Sequence, residues 1–372
     1  RAFSASNNGN YYISGKFAKS KESEIYKAWA WGNYNYQSKS KKNLLYVKEQ
    51  KELEFLTFYS DCINFSRDLI NSPANKLNPS TYYSKIKNNN LFKSFNFIDY
   101  TEKEINSNFP LTCAVGKSSS SKPKVIEITN RKLSKKDKPL VIIGKGVTFD
   151  TGGVNIKPGT SMRNMKKDMG GSAIAISLFL LANYFLKKTK IVLIAPIAEN
   201  AISSKSMRPG DVYSSISGKS VEIAHTDAEG RLLLADAIEK ASSYNPCMII
   251  DFATLTGAAR VALGEDLPAY FCNNETFAKK IENLNKEKLR CWRLPLYSPY
   301  LFKIKSQVAD LSNASLDGMA GSITAALFLQ EFLKSSNIPW FHFDTFAWSQ
   351  DSKGAALQGL DIMSDFLRKN FN

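Results

Sequence analysis

The sequence predicts an α/β fold with a mixed central sheet flanked by helices. Short apolar strands alternate with helical stretches along most of the chain, which is the pattern of layered α/β folds. The 372 residues are 43% hydrophobic and 23% charged, so the chain holds enough apolar material for one large core and a smaller appendage. The predicted strands are 139–143, 190–197 and 247–253, and the predicted helices are 172–186, 231–244, 323–333 and 359–371.

Three segments follow one another from the amino terminus. Residues 1–47 hold one predicted helix, 22–36, and one short strand, 43–47, which are too little for an independent core and indicate a reduced N-terminal appendage. Residues 48–70 carry apolar side chains at helical spacing before a proline, which indicates a linker helix. Residues 71–372 form the principal domain, in which ligand sites are expected beyond the carboxyl ends of the strands.

Composition argues against secretion and membrane insertion. The first twenty residues contain no apolar signal segment, and the apolar run 172–186 is too short and too interrupted to cross a bilayer. The five cysteines are odd in number and form no C-x-x-C pair, which argues against a disulfide framework or a thiolate zinc site. We therefore expect a cytoplasmic protein without membrane contact.

The net charge of +16 lies mainly in two stretches. Residues 1–50 hold nine Lys or Arg against three acids, and residues 116–138 hold eight against two. Both stretches are rich in Ser and Asn, which favours solvated loops over a nucleic-acid groove. Nucleic acid is therefore not expected as a specific partner, although nonspecific attraction to polyanions stays open.

A loop rich in Gly and Asp follows the first strand of the principal domain. Its glycines let the backbone come close to a ligand, and it carries Lys145 and Asp150, with Lys157 and Asp168 further along. One interpretation is a tight strand-to-helix connection with solvated charges, and the other is a ligand site. A phosphate loop is set aside, because Leu111 stands where the G-K-S segment would need glycine and no Ser or Thr follows Lys145.

A second charged cluster has the sequence HTDAEGR and spans residues 225–231. Side chains alternate along an extended chain, so Asp227, Glu229 and Arg231 would project to one side and place two carboxylates beside a guanidinium. The alternative is a helix start, because Thr226 and Glu229 match a capping box before an apolar helix. The residues alone leave both interpretations open.

Taken together, the two clusters resemble those of a known family. The segments GKGVTFDTGG, KKDMGG, TDAEGRLLLADA, DFATLTGAARVALG and GSITAALFL are similar to those of the leucyl (cytosol) aminopeptidases, and INSPANKLNPS resembles the start of their catalytic domain. The resemblance covers roughly residues 60–350. It implies a metal-dependent aminopeptidase that releases N-terminal, leucine-like residues from peptides, with residues 71–372 as the catalytic domain.

By this resemblance, two divalent metal ions, Zn²⁺ or Mn²⁺, bind without any histidine ligand. The implied ligands are Lys145, Asp150, Asp168, Asp227 and Glu229. Asp150 and Glu229 would bridge the two ions, Asp227 would complete one site, and Lys145 and Asp168 would complete the other. Four carboxylates in one cleft repel one another unless cations neutralise them, which supports this assignment. Lys145 would ligate as the neutral amine, so we expect its pKa to be lowered.

The resemblance also implies the catalytic and substrate-binding residues. A hydroxide that bridges the metals would attack the first peptide carbonyl, Lys157 would polarise that carbonyl, and Arg231 would hold a bicarbonate ion as general base. The free amino group of the substrate would bind one metal beside Asp168. The residues expected to bind substrate are Lys157, Asp168, Met165, Thr254 and Gly257, with Ala347 as a weaker candidate.

The expected partners are peptides with a free N-terminus and further copies of the chain in a homohexamer, a dimer of trimers. The sequence departs from the family at His225, where relatives usually have Asn, and we expect this histidine to lie in the core or next to the ligands. Two alternatives come from other classes of protein. One is a relative that keeps the fold without turnover, and the other is a nucleic-acid-binding protein that depends on the positive charge.

Overall fold

A nine-stranded mixed sheet forms the centre of the computed structural model, which describes residues 10–11, 19–36, 44–349 and 354–371. The helices are α1 (Lys19–Gly32), α2 (Gln50–Asn71), α3 (Pro79–Lys87), α4 (Glu102–Asn108), α5 (Pro110–Gly116), α6 (Gly159–Met162), α7 (Gly170–Phe185), α8 (Gly230–Ser243), α9 (Gly257–Leu263), α10 (Glu275–Asn285), α11 (Gly321–Gln330) and α12 (Leu360–Phe371). Short 3₁₀ helices span Asn90–Phe92, Met165–Met169 and Ser298–Ile304. The strands are β1 (Asn10–Tyr11), β2 (Leu44–Leu45), β3 (Asn96–Phe97), β4 (Lys124–Thr129), β5 (Leu140–Gly144), β6 (Gly146–Asp150), β7 (Ile191–Asn200), β8 (Val212–Ser214), β9 (Ser220–Glu222), β10 (Met248–Ala253), β11 (Ala269–Cys272), β12 (Trp292–Arg293), β13 (Leu311–Ser312), β14 (Trp340–Asp344), β15 (Trp348–Ser349) and β16 (Gly354–Ala355).

The strand order in the large sheet is β12-β11-β14-β10-β5-β7-β4-β3, and β6 pairs with the end of β7. The central strands β14, β10, β5 and β7 run parallel to one another. In contrast, β11 pairs antiparallel with β14, and β4 pairs antiparallel with β7. The mixed sheet confirms the predicted fold class. It also brings the carboxyl ends of four neighbouring strands to one edge.

Helices cover both faces of this sheet. Alternate residues of β5 face opposite sides: Leu140 and Ile142 belong to a core with α2, α7 and α12, whereas Val141 and Ile143 belong to a core with α5, α8 and α11. A strand that is buried on both faces is apolar at every position, which is why β5 reads as a continuous apolar run in the sequence.

The predicted elements of the principal domain are confirmed, and their ends differ from the prediction by at most three residues. The predicted linker helix is observed as α2. In the N-terminal segment the observed helix α1 begins and ends earlier than the predicted 22–36, and Gly32 is its last residue. The predicted strand 43–47 is reduced to β2, and its first residue, Asn43, lies outside the described residues.

A buried arginine attaches α1 to α2. The Arg67 guanidinium lies 3.8 Å from the centre of the Tyr34 ring and 5.0 Å from that of Trp31. It also donates a hydrogen bond to the Trp31 carbonyl, and the Trp31 indole donates one to the Tyr59 hydroxyl. Cation–π contacts are strongest when they are desolvated, so this cluster stabilises the contact between the two helices.

One stretch of the described chain, Met165–Phe185, is long and apolar enough to cross a membrane by length and composition alone. It is longer than the apolar run 172–186 in the sequence because the 3₁₀ helix Met165–Met169 continues directly into α7. However, 83% of its most apolar window is buried inside the fold, as in the core helix of a layered protein. Its apolar character is therefore explained by packing under the sheet.

Candidate metal centre

The charged residues singled out in the sequence meet at the carboxyl edge of the parallel strands. Lys145 directly follows β5, Asp150 ends β6, and Thr254 directly follows β10. Because these strands are parallel neighbours or pair with the same strand, their ends lie together, as sheet topology predicts for a ligand site. The two clusters, which are far apart in the sequence, thereby become one site.

Three carboxylates converge at this edge. One ligand atom from each of Asp150, Asp227 and Glu229 lies within 4.8 Å of the other two. Asp150 and Glu229 are buried, with exposed fractions of 2% and 1%, whereas Asp227 is partly open. Asp168 joins them through Lys145, whose Nζ lies 2.7 Å from Asp168 Oδ2 and 3.0 Å from Glu229 Oε1.

The second lysine lies on the open side of this cluster. Lys157 Nζ is 2.9 Å from Asp150 Oδ2 and also contacts Asp227 Oδ1. Burial opposes its charge, but Asp150 and Glu229 raise the pKa of Lys157 above the ordinary lysine value. Among the protein's own groups, Lys157 therefore favours the ammonium form beside the converging carboxylates.

Lys145 is held in place by the backbone around it. Its Nζ donates to the Thr254 carbonyl at 3.0 Å. A Cβ atom at Gly230 would lie 2.4 Å from Lys145 Cε, so only glycine leaves room for this lysine. Burial opposes the charge, but Asp168, Glu229 and Asp150 outweigh it and raise the pKa of Lys145. The expectation of a lowered pKa concerns Lys145 beside bound cations; among the protein's own groups the carboxylates favour the ammonium.

The pKa values of Asp150, Asp227 and Glu229 are shifted by their surroundings. Burial, reinforced by the charge of Asp150, raises the pKa of Glu229 to about 8 and that of Asp227 to about 7. Burial also opposes the charge of Asp150, but Lys157 and Lys145 lower its pKa below the ordinary value. The cluster therefore holds protons at neutral pH that a competing cation could displace.

The donor set fits divalent cations. Glu229 Oε2 is buried and has neither a hydrogen bond nor an ion pair among the residues that the structure describes, whereas Asp168 Oδ2, Asp227 Oδ1 and Glu229 Oε1 face lysine ammonium groups. Buried polar atoms normally have partners, so the open Glu229 oxygen indicates a ligand. Oxygen donors with one amine nitrogen suit Mn²⁺ or Zn²⁺.

A tight turn, not an extended segment, carries Asp227 and leads directly into Glu229. Residues 225–228 form the turn, which is closed by the hydrogen bond from the Ala228 amide to the His225 carbonyl at 3.2 Å. Glu229 follows it with helical φ/ψ values of −75° and −34° and precedes α8 directly. The predicted alternation is therefore wrong, although Asp227 and Glu229 do converge. The predicted capping box is also wrong, because the helix begins without a side-chain cap.

Side chains from the other cluster hold this turn on one side. Asn155 accepts from the Thr226 amide at 2.8 Å, and the Thr226 hydroxyl donates to the Gly152 carbonyl at 2.6 Å. Asn200, the last residue of β7, donates both to Asp150 Oδ1 at 2.8 Å and to the Thr226 carbonyl at 3.2 Å. These contacts fix the distance between Asp150 and the turn.

Arg231 is the second residue of α8 and is 7% exposed. One of its terminal nitrogens donates to the Asn313 carbonyl, whereas its Nε–H has no partner among the described residues. Burial lowers the pKa of Arg231 to about 10, so the guanidinium remains charged at neutral pH. A buried cation with an unused donor can hold a small anion.

The residues predicted to bind substrate occupy different positions around the site. Thr254 is buried and donates to Asp168 Oδ1 at 2.8 Å, and Met165 is buried in the same 3₁₀ helix as Asp168. Gly257 is exposed at the first turn of α9, three residues beyond Thr254. Ala347 is fully buried with a φ of 55° and packs against Gly170.

His225 is exposed at the rim and is not a core residue. Its Nδ1 accepts a hydrogen bond from the Asp227 amide at 3.2 Å, so the histidine lies next to a predicted ligand, one of the two positions expected for it. The second histidine, His342, is fully buried, and its Nδ1 lies 2.5 Å from Asp251 Oδ1. Neither belongs to the converging carboxylate set.

Several residues that organise the site were not found from the sequence. They are Asn155, Asn200, Thr226 and Asn313 around the turn and Asp344, which binds the backbone after Thr254. Asn and Ser are frequent in this chain, so such residues carry no local signal. Asn200 lies three residues beyond the predicted strand 190–197 and ends the observed strand β7, which was the one usable indication.

Comparison of the sequence with known proteins assigns the chain to a family. The model of the cytosol aminopeptidase family, catalytic domain, matches residues 64–363. A protein named probable cytosol aminopeptidase from Chlamydia caviae is 40% identical over 288 residues, which cover 76% of this chain and 57% of that protein. The cytosol aminopeptidase of Encephalitozoon cuniculi is 41% identical over 288 residues, covering 76% and 58%. The chain thus spans less than two thirds of the length of these curated relatives.

Solved structures give the same result. The cytosol aminopeptidase from Coxiella burnetii superposes with a TM-score of 0.89 at 36% identity, covering 98% of this chain and 82% of that one. The bottromycin maturation enzyme BotP in complex with Mn superposes with a TM-score of 0.84 at 29% identity, covering 94% and 79%.

Proposed function

The chain belongs to the cytosol aminopeptidase family, and from that premise we propose that it is a metal-dependent aminopeptidase that releases N-terminal residues from peptides. The observation that carries the proposal is the convergence of Asp150, Asp227 and Glu229 within 4.8 Å, with two lysines in contact. Carboxylates concentrated in this way are held together by cations. The name of the Mn-bound relative is consistent with a divalent ion at such a site.

Two divalent ions, Zn²⁺ or Mn²⁺, are the proposed cofactors. Asp150 and Glu229 would be shared between them, Asp227 would belong to one, and Lys145 and Asp168 to the other. Lys145 must then lose the proton that its carboxylate neighbours stabilise. When bound, such ions lower the pKa of water and polarise a carbonyl group.

The protein's own residues supply the remaining functions. Lys157 keeps its charge and lies beside Asp150 and Asp227, so it can donate a hydrogen bond to the carbonyl oxygen of the substrate as negative charge develops there. Asp168, which accepts a hydrogen bond from the Thr254 hydroxyl, would receive the free α-amino group. That anchoring explains why a free N-terminus would be required.

Arg231 is the proposed holder of an anion that transfers the proton. Its guanidinium is buried and charged, and its Nε–H has no partner among the described residues. Bicarbonate has the size and the charge for such a donor, and it can act as a base near neutral pH. No described histidine belongs to the carboxylate cluster, so a base must come from elsewhere.

Substrate preference and assembly complete the proposal. Met165, Thr254 and Gly257 would line the pocket for the first side chain, where a flexible methionine favours leucine-like residues. We further propose a homohexamer, a dimer of trimers, that acts in the cytoplasm. The division into 1–47, 48–70 and 71–372 stays part of this proposal.

The test uses the purified chain with Mn²⁺ and paired peptide substrates. We expect hydrolysis of leucyl amide and no hydrolysis of its N-acetylated form. Asp227→Ala should abolish activity, whereas Asp137→Ala should not, because Asp137 pairs with Lys190 at the amino end of β5, away from the site. Equal cleavage of blocked and free substrates, or full activity of Asp227→Ala, would show that the proposal is wrong. Metal binding without hydrolysis would favour a non-catalytic relative.

A further inference from the structure

A single asparagine side chain, Asn313, binds the backbone of the ligand-bearing turn in addition to Asn155 and Asn200. Asn313 follows β13 and is fully buried. Its Oδ1 accepts from the amides of Ala224 at 2.8 Å and His225 at 3.1 Å. Its Nδ2 donates to the carbonyls of His225 at 2.8 Å and Ala228 at 3.3 Å.

The Asn313 side-chain carboxamide makes the hydrogen bonds that a neighbouring strand would otherwise make with this segment. β13 pairs in parallel with β9, and the ladder continues to the hydrogen bond from the Asn313 amide to the Glu222 carbonyl at 2.9 Å. Ile223 still bonds to the backbone of Gly210 and Asp211, and the chain then turns toward the site, where the amides of Ala224 and His225 bond to the Asn313 side chain. Only a carboxamide offers an acceptor and two donors in one small planar group, so Asn satisfies both kinds of backbone group.

Two of these hydrogen bonds control the direction of the metal ligands. The carbonyls of His225 and Ala228 belong to peptide planes on either side of Asp227, and the Ala228 plane leads directly into Glu229. The Asn313 backbone carbonyl in addition accepts from Arg231. One residue therefore fixes the turn between two carboxylates and also the guanidinium that follows it.

We propose that Asn313 is a positioning residue for the metal centre, setting the carboxylates of Asp227 and Glu229 at the separation that divalent cations require. It touches neither ion nor substrate and acts through the backbone of the turn. Partners that orient ligands typically change metal affinity when they are mutated. This inference rests on the metal centre of the proposed function.

The chain offers a matched control for a purely structural role. Asn273 makes the same kind of contacts: its Nδ2 donates to the carbonyls of Ser336 and Ile338 at 3.3 and 2.9 Å, and its Oδ1 accepts from the Trp340 amide at 2.8 Å. Trp340 is the first residue of β14, whereas the site lies at the carboxyl end of the sheet. Asn→Asp at either position retains the acceptor, removes two donors and preserves size.

The experiment measures Mn²⁺ affinity by calorimetry and the unfolding temperature of the chelator-treated protein, for wild type, Asn313→Asp, Asn313→Ser and Asn273→Asp. We expect Mn²⁺ binding to weaken about 10- to 100-fold in both Asn313 variants. Asn273→Asp should lower the unfolding temperature without changing Mn²⁺ affinity.

Wild-type Mn²⁺ affinity in Asn313→Asp and Asn313→Ser would overturn the proposal and leave the aminopeptidase function standing. Loss of folding in both Asn313 variants, with Asn273→Asp folded, would assign Asn313 to the stability of the fold and would also overturn it. Absence of Mn²⁺ binding by the wild type would instead refute the metal centre of the proposed function, and the positioning role with it.

Discussion

Metal binding should release protons, because the site holds protons that cations must displace. To test this, Mn²⁺ is titrated into chelator-treated protein at pH 7. At this pH the raised pKa of Lys145 keeps it charged, Glu229 with a pKa of about 8 is mostly protonated, and Asp227 with a pKa of about 7 is half protonated. If all three become ligands, about two protons leave with full loading.

Calorimetry in buffers of different ionisation enthalpy measures this number directly. The observed binding enthalpy should vary with buffer ionisation enthalpy with a slope of about two. The logarithm of the affinity should also rise with pH near neutrality. A slope of zero, or pH-independent affinity, would refute the assignment of Lys145, Asp227 and Glu229 as ligands.

The same shifts set the pH dependence of stability without metal. The folded pKa values of Asp227 and Glu229 lie above their unfolded values, so their protonated forms contribute stability that is fully present at acid pH. That contribution is lost as pH rises through about 7 to 8. Stabilisation by Mn²⁺, measured as a shift in the unfolding temperature, should therefore grow over the same interval.

Three further predictions concern single residues. Lys157→Met should lower kcat about 10²- to 10³-fold in steady-state assays, because it removes the donor to the substrate carbonyl. The control is Lys166→Met, which loses only a hydrogen bond to the Asn71 carbonyl and should retain kcat. Glu229→Gln should abolish Mn²⁺ binding. In denaturant unfolding it should stabilise the metal-free protein at pH 8, because it removes a buried carboxylate, and this stabilisation should shrink below pH 5. Met165→Ala should reduce kcat/KM for leucyl relative to alanyl substrates about 10-fold, and an unchanged ratio would exclude Met165 from the pocket.

The layered fold could be predicted from the sequence because strands that are buried on both faces appear as continuous apolar runs. β5 is apolar at every position since both its faces are covered, and α7 is apolar all round because it packs under the sheet. The N-terminal helix was placed too late, because its few apolar side chains give a weak period.

The site was predictable as a set of residues and not as a geometry. The two clusters gave the carboxylates and lysines, but alternation in an extended chain misjudged the turn that holds Asp227 and precedes Glu229. The raised pKa of Lys145 among the protein's own groups was not visible in the sequence, because it depends on three carboxylates that only folding brings close. Asn313 contacts residues more than eighty positions away, a separation that no local pattern can reveal.

The most direct test of the two-metal centre is anomalous scattering from crystals grown with Mn²⁺ or Zn²⁺. Two anomalous peaks among Lys145, Asp150, Asp168, Asp227 and Glu229, with Asp150 and Glu229 touching both, are the predicted result. A single peak, or peaks that lie outside these five ligands, would contradict the account.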